Sequence, residues 1–127
     1  MKLREADRRP KHHFEIGDIV MYHGSVKNGP GGKGIVLDIA TIHDIQEGDK
    51  IKFLYQECQC VFFPKEVDLY KAMRTYSASK ALDSTYTQGF KVRATALTFI
   101  EKAPEAWFAK ITAQDIANLR FTHILDA

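Results

Sequence analysis

The feature that most constrains the fold of this chain is a glycine-rich interruption between two short runs of β-type residues. Five of the eight glycines fall between Gly24 and Gly34, together with Pro30. Glycine loses the most conformational freedom on folding and proline fixes φ, so this stretch predicts an irregular loop. The runs on either side of it, residues 19–22 and 34–39, are rich in β-branched side chains and predict two strands that the loop connects.

The next part of the chain predicts more β-structure. Residues 40–48 indicate an exposed connection, and residues 51–63 indicate a hairpin or a pair of consecutive strands. Pro64 cannot donate a hydrogen bond within a strand, so the strand should end there and a helical turn should follow over residues 64–70. Such an order of strand, long loop, strand, short loop and two strands within about sixty residues is typical of a small, strongly bent barrel.

Three segments carry a resemblance to a known fold. Residues 17–24, continued by residues 32–39, resemble the KOW-type pattern of SH3-like barrels in ribosomal proteins and transcription elongation factors. Residues 63–69 resemble the closing segment of many such barrels. The resemblance implies a mainly β chain with minor α, in which residues 14–70 form a small SH3-like barrel. The extra loop residues 26–31 depart from the usual motif.

The remaining residues, 71–127, are expected to form an α/β C-terminal extension packed on the barrel. Residues 72–82 predict a short helix, whereas residues 89–100 have β character with mixed periodicity. A last helix should begin at Thr112, whose hydroxyl can accept hydrogen bonds from the first-turn amides, with Asp115 at the positive end of the helix. The apolar residues expected to face the core from this helix are Ile111, Ile116 and Leu119.

Positive charge is concentrated in residues 1–13. Five cations stand there against Glu5 and Asp7, which gives a net charge of +3, and the whole chain carries +2, which leaves −1 for the remainder. A basic arm on a near-neutral body can follow the phosphates of a nucleic acid, or it can be a solvated terminus without a ligand. In the first alternative the phosphate contacts are made by Arg8, Arg9 and Lys11.

The glycine-rich loop and its neighbours supply the other candidate contacts. Lys27 lies where a phosphate-binding Walker loop needs glycine, and Gly34 lies where it needs serine or threonine, so nucleotide hydrolysis is not expected. The loop is either a mobile contact element that presents Lys27 and Lys33 or a long hairpin tip without a ligand. Exposed aromatic residues beside lysines can stack on bases, and the candidates are Tyr22 and Tyr55.

Metal and catalytic sites find no support in the sequence. Cys58 and Cys60 share one face of a strand in a geometry that is poor for a disulfide, and no second cysteine pair completes a zinc site. The five histidines lack the spacing of a metal-binding helix, and no nucleophile motif is present. We therefore expect a protein that is not an enzyme and that has no metal or cofactor.

Two aromatic residues near the C-terminus, Trp107 and Phe108, are either anchors that dock the extension or a surface for a protein partner. The first ten residues lack the apolar core of a secretory signal, and the apolar runs are much shorter than the roughly 20 residues of a membrane-spanning helix. We expect no membrane contact and a cytoplasmic location.

The leading prediction is a non-enzymatic regulator associated with DNA or RNA, which contacts phosphates through the basic arm and the glycine-rich loop. It follows from the KOW-like resemblance together with the charge of the arm. The alternative is a protein-binding adaptor or inhibitor, for instance an accessory factor of viral or mobile-element origin that occupies a host protein. The near-neutral body and the aromatic C-terminal segment favour that alternative.

Overall fold

One six-stranded sheet organises the protein. The computed structural model describes residues 12–24, 30–46, 50–83 and 87–124, and for residues 42–46 and 50–55 the backbone alone. The strand order across the sheet is β5-β1-β2-β3-β4-β6, and the described chain is mainly β with minor α, as predicted. The strands are β1 (Asp18–Tyr22), β2 (Lys33–Gln46), β3 (Lys50–Phe62), β4 (Gln88–Arg93), β5 (Leu97–Lys102) and β6 (Phe121–His123).

Neighbouring strands are antiparallel except for β4 and β6, which are parallel. Strands β2 and β3 form one long hairpin whose register runs from Gly34 opposite Phe62 to Gln46 opposite Lys50. The prediction of an exposed connection over residues 40–48 was therefore wrong for residues 40–46. The polar residues of that segment are typical of a loop, which is why the sequence predicted one. In the structure their backbone groups pair with β3, a partner that the local sequence does not reveal.

The hairpin extends beyond its neighbours in the sheet. Strand β1 pairs with residues 33–35 of β2, and β4 pairs with residues 57–62 of β3. Residues 41–46 and 50–56 consequently form a two-stranded ribbon, with β2 and β3 paired only to each other in the described part of the sheet.

The described residues contain four short helices: α1 (Leu69–Thr75) and α2 (Ala78–Leu82) between β3 and β4, and α3 (Glu105–Phe108) and α4 (Ala113–Ala117) between β5 and β6. The single helix expected over residues 72–82 is two helices, because Ser77 leaves the helical conformation and its hydroxyl accepts from Lys80 N to cap α2. The predicted cap at Thr112 is confirmed: Thr112 and Asp115 exchange hydrogen bonds in a capping box.

The two faces of the sheet carry separate hydrophobic clusters. Successive residues alternate between them, since Ile35 belongs to one cluster and Val36 to the other. The first, which we call the strand cluster, is enclosed by the strands, a 3₁₀ turn (Ala94–Ala96) and the flanking residues Phe14 and Ile124. The second, the helix-side cluster, lies between the sheet and the helices, and its strand members are Ile19, Ile35, Leu37 and Val61.

Residues beyond Tyr70 supply half of the strands. Strands β4, β5 and β6 lie in the same sheet as β1, β2 and β3, and the 3₁₀ turn connects β4 to β5. The predicted core positions Ile111, Ile116 and Leu119 all pack against the helix-side cluster. Within the described ranges, no helix has the length and apolar character that a bilayer span requires.

Candidate functional site

The C-terminal end of the glycine-rich loop lies directly against the backbone that follows β3. Gly32 has a φ of +96°, and a Cβ atom at this position would lie 2.2 Å from the Phe63 carbonyl oxygen and 3.1 Å from Lys65 N. Just after Gly32, the Lys33 carbonyl accepts a hydrogen bond from Phe63 N at 3.0 Å. These contacts place the end of the loop beside the backbone of Lys65, a residue whose side chain is exposed.

Lys33 connects the loop to helix α1. Its ammonium lies 4.8 Å from the centroid of the Tyr70 ring, a cation–π arrangement worth about 0.5 to 1 kcal/mol at an exposed site. The Tyr70 hydroxyl in turn donates a hydrogen bond to Glu101 of β5. The start of β2, the first turn of α1 and the edge strand β5 thus meet at one place.

Three more exposed cations belong to the segments that meet here. Arg74 lies one turn after Tyr70 on the same face of α1, and Lys71 and Lys65 are also exposed. None of these three side chains has an ion pair with another described residue. We call Lys33, Lys65, Lys71 and Arg74 the basic surface.

Two of the acids near the basic surface form hydrogen bonds within the fold. Asp68 caps α1, where its carboxylate accepts from Tyr70 N at 3.0 Å and from Lys71 N at 3.2 Å. Glu101 accepts from the Tyr70 hydroxyl. Both carboxylates keep their negative charge, and Glu66 beside Lys65 is also exposed. The four cations therefore exceed these three acids by one, and this small positive excess favours an anionic ligand.

Tyr70 should titrate unusually. Its hydrogen bond to Glu101, together with burial and the charges of Glu101 and Asp68, raises the pKa of Tyr70 to about 12. We expect the near-ultraviolet absorbance of tyrosinate to show one late-titrating group that Tyr70→Phe removes. Glu101→Gln should move that group back toward pH 10, the ordinary value for tyrosine. A Glu101→Gln titration curve that matches the unsubstituted protein would contradict this assignment of the hydrogen bond.

Several residues that the sequence singled out lie outside the described part of the chain, namely Arg8, Arg9, Lys11 and Lys27. Tyr55 lies in β3 opposite Ile42, and its side chain is not among those described. Tyr22 ends β1 and packs against the strand cluster, with its hydroxyl oxygen buried. The Tyr22 ring therefore packs into the fold, and its hydroxyl lies beside Gly24 at the start of the loop.

Trp107 and Phe108 lie in α3 and are half-buried against the helix-side cluster. The indole Nε1 of Trp107 donates to the Tyr76 carbonyl at 3.3 Å. The Phe108 ring lies close to Gly17, where an added Cβ would come within 3.6 Å of it. Both aromatic residues thus hold α3 against other parts of this chain.

The basic surface contains residues that sequence reasoning did not select. Lys65, Lys71 and Arg74 lie in a segment whose sequence indicated only the end of a strand and the start of a helix. The spacing of Tyr70 and Arg74 by four residues was a usable signal for a shared helix face. Nothing local could show that Lys33, 37 residues earlier in the numbering, lies over Tyr70.

The two cysteines are buried in the strand cluster as free thiols. Burial, with smaller contributions from the Asp18 and Glu57 carboxylates, raises the pKa of Cys58 to about 12. Burial also raises the pKa of Cys60 well above its ordinary value, and the neighbouring Cys58 adds to the effect. Neither thiol has the exposure or the lowered pKa of a nucleophile.

The described residues contain no group of three or more histidine, cysteine, aspartate or glutamate side chains arranged to hold a metal ion. Comparisons with known proteins add no assignment. No protein-family model matches the chain, and neither the curated proteins nor the solved structures contain a match.

Proposed function

We propose that this protein is a non-enzymatic nucleic-acid-binding module that contacts the phosphate backbone. The basic surface of Lys33, Lys65, Lys71 and Arg74 supplies one set of cations, and the arm residues Arg8, Arg9 and Lys11 with Lys27 of the loop supply the rest. The observation that supports this proposal is that the end of the glycine-rich loop, the segment after β3 and helix α1 meet at one place, which carries a small excess of positive charge.

Electrostatics gives the reason for choosing a polyanion. A phosphate backbone presents a charge every few ångströms, so it can engage several cations of an extended surface at once. Backbone contacts of this kind position a protein without reading sequence. We therefore expect weak sequence preference and strong dependence on salt.

A fluorescence anisotropy titration with a labelled DNA duplex, and with an RNA of the same sequence, tests the proposal. Replacing Lys65, Lys71 and Arg74 together by alanine should lower the slope of log affinity against log salt by roughly one per contact removed, and about equally for unrelated sequences. Replacing Arg8, Arg9 and Lys11 by alanine should have a similar, independent effect. The variant at Lys65, Lys71 and Arg74 should keep the thermal midpoint of the unsubstituted protein, because these three side chains are exposed.

The matched control is Lys110→Ala, which removes one exposed cation between α3 and α4. It should change the salt slope much less than Lys65→Ala does. Absence of binding to both nucleic acids at about 50 mM salt would refute the proposal, since phosphate contacts are strongest there. Equal losses from Lys110→Ala and Lys65→Ala would refute the assignment of the surface.

A protein-binding adaptor or inhibitor remains the alternative function, with Trp107 and Phe108 as its partner-binding residues. The contacts of the described residues favour this alternative less than nucleic-acid binding, since both aromatic side chains pack against the helix-side cluster. If the protein is folded but binds neither DNA nor RNA, the adaptor or inhibitor becomes the favoured function.

A further inference from the structure

A cleft of about 400 Å³ opens among the helices, between the end of β3 and helices α1 and α2. Its apolar lining comes from Phe63, Val67, Ala72 and Ala81. Phe63 and Ala81 are nearly fully buried and belong to the helix-side cluster, so the base of the cleft is part of the core. Sites for small molecules are mainly apolar and measure about 300 to 1,000 Å³, so this cleft has the size for one small ligand.

Two opposite charges line the rim of the cleft, Lys80 in α2 and Asp83 directly after it. The Lys80 ammonium lies 5.3 Å from the centroid of the Tyr76 ring, which also lines the cleft. Neither charge has an ion pair with another described residue. Asp115, which α4 brings to the same region, already accepts a hydrogen bond from the Ser79 hydroxyl at 2.5 Å.

The wall that carries Tyr76 is held by hydrogen bonds on both sides. Tyr76 N donates to the Ala72 carbonyl at 2.9 Å, and the Tyr76 carbonyl accepts from the Trp107 indole at 3.3 Å. The next residue, Ser77, accepts from Lys80 N and thereby begins α2. Because these bonds fix the backbone between the two helices, the cleft is formed before any ligand enters it, and binding does not have to order the site first.

We propose that this cleft binds a free apolar α-amino acid, of the size of leucine or phenylalanine. The side chain of the ligand occupies the apolar base, its carboxylate reaches Lys80, and its ammonium reaches Asp83. A charged group enters a partly buried site at acceptable cost only when it is paired, and this ligand pairs both of its charges with the two that the rim offers. An apolar amine or an apolar monocarboxylate engages only one of them.

This inference concerns a small zwitterion, not a polyanion, and it does not depend on the proposed function. Lys80 is not part of the basic surface, so the two kinds of binding can be measured separately. A variant that loses amino-acid binding should keep its affinity for nucleic acid. A variant that loses nucleic-acid binding should keep its affinity for the amino acid.

Isothermal titration calorimetry of the full chain with a set of matched ligands tests the inference. L-leucine and L-phenylalanine should bind at least about tenfold more tightly than leucinamide, which lacks the carboxylate, or N-acetyl-leucine, which lacks the ammonium. Alanine should bind more weakly than leucine and phenylalanine, because its methyl group leaves the apolar base of the cleft unfilled. Absence of saturable binding of leucine and phenylalanine up to about 10 mM, or equal affinity for all five ligands, would overturn the proposal.

Two substitutions assign the charges. Lys80→Met keeps the length of the side chain and should abolish the preference for leucine over leucinamide, while the preference over N-acetyl-leucine persists. Asp83→Asn should do the opposite. Both positions are exposed, so the thermal midpoint should stay near that of the unsubstituted protein, and Lys110→Met serves as a control. If either substitution leaves both preferences intact, that charge does not contact the ligand and the proposal is wrong.

Discussion

Replacing Gly32 by alanine is expected to destabilise the protein by roughly 3 to 5 kcal/mol, a large part of the stability of a domain of this size. Two costs combine. The φ of +96° is unfavourable for any residue with a Cβ atom, and that atom would lie 2.2 Å from the Phe63 carbonyl oxygen, which belongs to rigid backbone rather than a flexible side chain. Relief of the clash would displace the Lys33 carbonyl from its hydrogen bond to Phe63 N.

Gly31→Ala is the matched control for this prediction. It lies one residue earlier in the same loop, and an added Cβ would meet nothing within 4 Å. Its effect should stay within about 0.5 kcal/mol, or be slightly stabilising because alanine restricts the unfolded chain. Urea unfolding of both variants measures the difference. Similar stabilities for Gly31→Ala and Gly32→Ala would show that the loop does not pack on residues 63–65 as described.

A second large effect should appear at alkaline pH. Cys58 has an ordinary pKa of 9.0 and a folded pKa of about 12, so its thiol ionises in the unfolded chain before it does so in the folded protein. The contribution of Cys58 to stability is therefore complete below about pH 9 and is lost as the pH rises through 12. Each pKa unit corresponds to 1.36 kcal/mol, so Cys58 alone should reduce the free energy of unfolding by roughly 2 to 3 kcal/mol between pH 9 and 11.

Cys60 and Tyr70 act in the same direction, because their pKa values are also raised in the folded state. The Cys58→Ala variant separates the contribution of Cys58 from theirs. It should be somewhat less stable at pH 7, where a buried side chain has been shortened, but its stability should fall less steeply above pH 9. Urea unfolding at intervals from pH 7 to 11 gives both slopes, and identical slopes would contradict a raised pKa for Cys58.

Local patterns in the sequence predicted much of the secondary structure, for identifiable reasons. A run of β-type residues predicted β1, alternation of apolar residues predicted the first part of β2, and Pro64 predicted the end of β3, since proline cannot donate within a ladder. Thr112 and Asp115 predicted the start of α4, because a capping hydroxyl and an acid in the first turn are local signals. The structure adds that the two residues form a capping box. The SH3-like resemblance and the barrel boundary at Tyr70 stay predictions.

The error at residues 40–46 has a long-range cause, since this segment has the composition of a connection but pairs with β3. The error at residues 72–82 has a local cause, since the Ser77 hydroxyl caps a second helix within what was predicted as one. Residues 89–100 were ambiguous because two strands and a 3₁₀ turn share that stretch, so neither period dominates.

The sequence by itself determined that this chain is mainly β, that glycines interrupt it after the first strand, and that cations flank the interruption. Each of these properties belongs to a residue or to its immediate neighbours. Tertiary structure decided that Lys33 lies over Tyr70, that Gly32 contacts the backbone after β3, and that β5 pairs with β1. Contacts of this kind join residues tens of positions apart. They arise only when burial of both sheet faces offsets the entropy of closing those loops, a balance that no single segment contains.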